Sequence, residues 1–208
     1  MACNCHPQGF MNLDFENAVI TPDPSSPLYP YAVNASNAIP GWTAYIAGVP
    51  QTDILYNDVS LGAPAVSLQG TNGFYQPLQG LYSLLLQGST LDAPTPASIG
   101  QTGLVPDNAV SLFFYLSLNS NLEVSFNGQP ISLVQMASTP NYDIMAGNIS
   151  AFAGQTGQLL FTAPGSTGFG LLDDIQFSPS PIPEPGVFGL SAVGGLILAC
   201  RRWRKSRK

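Results

Sequence analysis

No lysine and no arginine occurs in the first 200 residues of this 208-residue chain, and its one histidine is His6. Charged residues make up 9% of the whole, against about 25% in an average soluble protein. A region without cations forms no Arg or Lys salt bridge and cannot grip phosphate, which excludes nucleic acid as its partner. It also offers no Lys or Arg side chain to an oxyanion. With His6 beside the terminus and outside the folded body, a Ser-His-Asp or Cys-His constellation cannot be assembled there, and no GxxxxGK or GxGxxG stands between a strand and a helix. Cysteine is as scarce: Cys3, Cys5 and Cys200 suggest no disulfide staple. Cys3, Cys5 and His6 lack the fourth ligand and the spacing of a zinc site. No window of a dozen residues in the body keeps a capped 3.6-residue period, and no internal repeat is visible.

What is present suffices for one domain of common size. Apolar residues make up 45% of the chain, with 21 Gly and 19 Pro, enough to build a core. Eleven of the twelve acids precede Ser178, so that stretch carries a formal charge of −11. Its polar surface must come from Ser, Thr, Asn and Gln. Leu122, Val124 and Phe126 alternate with Glu123 and Ser125, Asn127-Gly128 follows, and Ile131 and Leu133 resume the period of two. Asn-Gly between alternating runs marks a hairpin, because a type I′ turn needs positive φ at both central residues. The spacing predicts paired strands over Leu122 to Phe126 and Ile131 to Gln135. Further strands are expected at Leu13 to Ala18, Thr43 to Gly48, Ala65 to Gln69, Tyr82 to Gln87, Val110 to Leu116, Gln158 to Thr162 and Gly170 to Phe177. Thr21 to Pro40 reads as a long surface loop and Asn148 to Gly154 as one helical turn. Many short strands without crossover helices give an all-β, antiparallel β-sandwich, with Phe113, Phe126, Phe161 and Phe177 in its core.

The expected organisation is a disordered N-terminus over 1–10, the sandwich over 11–178, a Pro-rich spacer over 179–185, a single hydrophobic membrane helix over 186–203 and a basic tail over 201–208. Pro179, Pro181, Pro183 and Pro185 confine the spacer to extended geometry. Val187 to Cys200 spans about 21 Å as a helix, short of a hydrocarbon core near 30 Å. Its anchor residues Val187, Phe188, Leu190, Val193, Leu196, Ile197 and Leu198 favour insertion. Arg201, Arg202, Arg204, Lys205, Arg207 and Lys208 add attraction to an anionic cytoplasmic leaflet. The lipid bilayer is thus the first partner expected. Met1 to Gln8 has neither the basic nor the apolar region of a secretory signal, so either translation begins upstream of Met1 or the chain is not exported and the tail has another meaning.

Pro183-Glu184-Pro185, a Gly-rich apolar segment and an Arg-rich end, in that order, resemble the PEP-CTERM sorting signal of bacterial exported proteins. The resemblance implies that an inner-membrane exosortase, a cysteine transpeptidase, cuts near the motif and passes the body to the cell surface, exopolysaccharide or biofilm matrix. A second resemblance concerns the body. Asn12-Leu13-Asp14-Phe15-Glu16-Asn17, Pro40-Gly41-Trp42 and Leu172-Asp173-Asp174-Ile175-Gln176-Phe177 are similar to the galactose-binding-like jelly roll of many carbohydrate-binding modules. It implies adjacent first and last strands and a structural calcium site at Glu16, Asp173 and Asp174, a hard-oxygen set suited to that ion.

Among the aromatics in or near predicted loops, Trp42 and Tyr75 are the choices for stacking on a sugar. Three functions compete: a surface or matrix module that binds extracellular polysaccharide, a structural matrix protein without a specific ligand, and a carboxylate-dependent glycosidase using Asp14 with Glu16 or Asp53 with Asp58. The first, without catalysis, is the expectation.

Overall fold

A computed structural model describes residues 9–91, 93–165 and 168–182. In chain order the strands are β1 (Ala32–Asn34), β2 (Thr43–Ile46), β3 (Val49–Gln51), β4 (Asp53–Tyr56), β5 (Ala65–Gly70), β6 (Tyr82–Gln87) and β7 (Ala97–Leu104). They continue with β8 (Ser111–Ser117), β9 (Glu123–Phe126), β10 (Gln129–Ile131), β11 (Leu133–Ser138), β12 (Tyr142–Asn148), β13 (Thr156–Ala163) and β14 (Phe169–Ser178). They form two sheets, ordered β1-β4-β5-β6-β14-β8-β12-β11 and β10-β9-β13-β7-β2-β3. This is the expected all-β sandwich. All pairings are antiparallel among the described residues except β4 with β5.

Alternation explains the core. Leu112, Phe114 and Leu116 of β8 are buried and meet Val124, Phe126, Leu159 and Phe161 from the other sheet. Each such side chain contributes roughly 1.5–3 kcal/mol when removed from water. The Asn127-Gly128 hairpin forms as predicted, with φ of 49° and 76° and Gln129 opposite Phe126. Residues 150–152 make one 3-10 turn where a helical turn was expected.

Several expectations are corrected. Leu13 to Ala18 is no strand: Asn12 and Phe15 take positive φ, 50° and 59°, which a ladder cannot hold. The predicted 131–135 strand is two elements, since β10 ends at Ile131 and Leu133–Ser138 crosses to the other sheet to pair with β12. Within the predicted surface loop lie β1 and a one-turn helix, Ala35–Ala38, capped by the Asn34 side chain. Phe113 is not core: Phe114 is, and Phe113 occupies the outer face one step out of phase. Phe177 is half-buried and stacks on Phe10 at 5.1 Å. Order therefore begins before residue 11, with Gly9 bridging to Leu104.

The outer face of the eight-stranded sheet positions the candidate site. The parallel β4–β5 connection, residues 57–64, crosses this face. Ser67 Oγ and Gln69 Nε2 hold it there, donating to the Asp58 carbonyl at 2.7 and 2.8 Å. Toward the other edge the face is carried by β14, β8 and β12.

Candidate functional site

On β8, Phe113, Tyr115 and Ser117 alternate with the buried Leu112, Phe114 and Leu116, so they share the outer face. Ile144 of β12 sits opposite Tyr115 and Tyr142 opposite Ser117, which makes Tyr142 a diagonal neighbour of Tyr115. The two rings stack at 4.2 Å with 16° between planes. A stacked pair leaves one ring face on each outer side, the kind of surface on which the apolar face of a sugar rests.

The polar flank comes from β14. Its pairing with β8 slips between Asp173 and Gln176, and Asp174 adopts φ 45° there, a left-handed conformation that Asp tolerates better than most residues. Such a bulge re-aims side chains. Asp174 lies beside the Tyr115 phenol and accepts from Gln176 Nε2 at 2.6 Å. Burial first, then the Asp174 hydrogen bond and charge, push the Tyr115 phenol up to about 12, so it stays a donor at any physiological pH. At the rim, Gln135 Nε2 donates to Asp143 Oδ1 at 2.9 Å.

A second aromatic group belongs to the same face. Phe169 pairs with Gln87 at the start of β14, four residues before Asp173 and so about 13 Å along the strand. Tyr75 packs edge-on against Phe169 at 5.3 Å and against Phe74 at 5.1 Å. Phe74 is 66% exposed. The loop carrying Phe74 and Tyr75 is pinned at both ends. The Tyr75 amide donates to the buried Gln69 Oε1 at 3.1 Å. Glu16 Oε1 accepts from the Leu81 and Tyr82 amides at 2.8 and 3.0 Å.

Asp173 closes the loop from beneath. It is 1% exposed and accepts from Ser83 Oγ at 2.7 Å, the Gln79 amide at 3.1 Å and the Asp174 amide at 2.7 Å. Burial outweighs these hydrogen bonds and pushes its carboxyl up to about 7.

The sequence-derived site residues fare differently. Tyr75 lies in the surface aromatic group. Trp42 does not: it is 4% exposed, wedged between Phe15 and Phe161 at 5.9 and 6.2 Å, with Nε1 donating to the Asn12 carbonyl at 3.0 Å. A buried indole cannot stack on a ligand.

The calcium set is also corrected. Glu16 clamps a loop, Asp173 is sealed beneath it and Asp174 turns to Tyr115. Among the described residues no three His, Cys, Asp or Glu side chains are grouped to hold a metal. The adjacency behind that idea does occur, with the Ile175 amide donating to the Leu13 carbonyl at 2.9 Å. Of the acid pairs, Asp14 accepts from the Glu16 amide at 3.3 Å, while Asp53 and Asp58 line one cavity.

Pro183, Glu184, Pro185, the anchor residues and the basic cluster lie outside the described residues. No helix among the described residues is long and apolar enough to cross a membrane.

Tyr115 and Tyr142 were missed from sequence. Strand aromatics read as core, and only strict alternation through Leu112, Phe114 and Leu116 places Tyr115 outside.

No family model matches the sequence, and no curated protein matches it. Among solved structures, the family 11 carbohydrate-binding module from Clostridium thermocellum, in complex with a β-1,3-1,4-mixed-linked tetrasaccharide, aligns with a TM-score of 0.38 and 10% identity. That alignment covers 74% of this chain and 97% of that module. The family 11 module of the cellulosomal cellulase Lic26A-Cel5E of Clostridium thermocellum gives 0.39 and 9%, covering 85% and 96%. A β-glucosidase from Kluyveromyces marxianus in complex with glucose gives 0.35 and 10%, covering 82% of this chain and 18% of the enzyme.

Proposed function

We propose that this chain is a non-catalytic jelly-roll module that binds a neutral extracellular polysaccharide and is delivered to the cell surface by a C-terminal PEP-CTERM signal. The observation that carries the binding half is the stacked Tyr115–Tyr142 pair on an open sheet face, flanked by Asp174 and Gln176. Aromatic faces take the apolar side of a pyranose while carboxylate and amide groups take its hydroxyls. A second aromatic group about 13 Å along β14 favours a chain-shaped ligand over a single sugar. The charge of −11 on the body repels acidic polysaccharides and leaves neutral ones.

Affinity electrophoresis in gels carrying soluble polysaccharides tests this reading. At least one neutral polysaccharide is expected to retard the protein, and the doubly substituted Tyr115→Ala, Tyr142→Ala chain is expected to run as if the gel were empty. Retardation that survives both substitutions in a folded protein contradicts it.

Delivery rests on the sequence order Pro-Glu-Pro, apolar run and six terminal cations, the two-signal logic by which a marginal apolar segment and a basic cluster together hold a chain at a bilayer. Protein recovered from the cell exterior is expected to lack roughly its last two dozen residues. Intact-mass analysis checks this, and exterior protein that retains Arg207 and Lys208 refutes it.

A further inference from the structure

The opposite edge of the eight-stranded sheet holds a cavity of about 280 Å³, near the small end of ligand sites. Residues of β2, β3, β4 and β5 line it, together with residues 58–60 and 63–64 of the crossover loop. Leu28, Leu55 and Val59 give it an apolar lining, and Tyr31 adds a ring at its mouth that is 51% exposed. Asp53 and Asp58 belong to the same lining.

Asp53 sets this cavity apart. Its Oδ1 is buried without a hydrogen-bond partner, alone in that condition among the described residues. Its other oxygen has only a long contact of 3.3 Å from Thr52 Oγ1. A buried carboxylate oxygen without a donor is destabilising, and a neighbouring negative charge adds to that. Asp23 is such a neighbour. No Lys or Arg exists anywhere before residue 201, so the chain up to that point cannot supply a basic side chain as counter-charge.

We infer that this cavity is a binding site for a small organic cation, an ammonium group on an apolar body, with Asp53 as its charge partner and Tyr31 as its aromatic wall. The ammonium pairs with the Asp53 carboxylate in the cavity wall, and its carbon body fills the space between Leu28, Leu55 and Val59. A ring at the mouth attracts the same charge through its quadrupole. The site is independent of the glycan face: β6 separates β5 from β14 in the sheet order, and neither site needs the other.

Calorimetric titration of the full chain with n-hexylammonium and with hexan-1-ol, near neutral pH and low salt, tests the assignment. A charge-assisted hydrogen bond to a buried carboxylate makes the ammonium bind about tenfold tighter than the alcohol. Asp53→Asn keeps the shape and removes the charge, and is expected to bring the two affinities together, whereas Tyr115→Ala leaves the preference intact. An alcohol that binds as well as the amine overturns the proposal, as does a preference that persists in a folded Asp53→Asn chain. Absence of saturable amine binding overturns it too.

Discussion

Trp42→Ala is expected to lower the unfolding free energy by about 3–5 kcal/mol, the range for removing a large aromatic from a packed core. The indole fills the space between Phe15 and Phe161 and closes the Asn12 carbonyl. Truncation leaves both a cavity and a buried acceptor without its donor. For a domain whose whole stability is of the order of 5–15 kcal/mol, that approaches unfolding at body temperature. Tyr75→Ala, by contrast, removes a half-exposed ring held through its backbone amide and is expected to cost only about 1 kcal/mol. Urea denaturation of the two variants checks the contrast. Equal midpoints would mean that Trp42 is not a core residue.

The second large effect concerns pH. Asp173 ionises near 3.8 in an unfolded chain and near 7 in the folded one. Between those values the folded protein holds a proton that the unfolded chain has released. This carboxyl therefore favours folding below about pH 4, and its contribution is lost as pH rises to about 7. The full difference is worth at most about 4 kcal/mol. Most carboxylates have finished titrating by pH 5.5 and the one histidine, His6, is common to the parent and Asp173→Asn chains, so the difference between them from pH 5.5 to 7.5 isolates Asp173. Melting temperature is expected to fall across that interval in the parent chain and to stay level in Asp173→Asn. Parallel profiles for the two proteins would refute the assignment.

The sandwich was legible in the sequence because alternation and Asn-Gly punctuation are local signals. β5, β6, β8, β13 and β14 fall within two residues of where pattern placed them. What escaped was non-local. Leu13 to Ala18 has strand composition, yet positive φ at Asn12 and Phe15 belongs to a turn closed locally by Asn17 and fixed by Pro40 and Leu81 contacts far along the chain. β1 hides in a Pro-rich stretch because only its pairing with β4 gives it order. Trp42 follows a Pro-Gly turn and looks exposed, but two distant segments, one carrying Asn12 and Phe15 and the other Phe161, close over it. The Tyr115–Tyr142 stack joins residues 27 positions apart, and composition says nothing about which strands will neighbour each other. Asp174 contributes through a bulge, which no periodicity announces.

The claim on which the functional account turns is that glycan lies across β8, β12 and β14. Chemical-shift mapping tests it most directly, using an oligosaccharide cut from whichever polysaccharide retards the protein. The account predicts that the largest shifts gather at Tyr115, Tyr142, Asp174 and Gln176, with Phe74 and Tyr75 responding to longer oligomers. Shifts that gather instead around Asp53, or on the outer face of the six-stranded sheet, would contradict it.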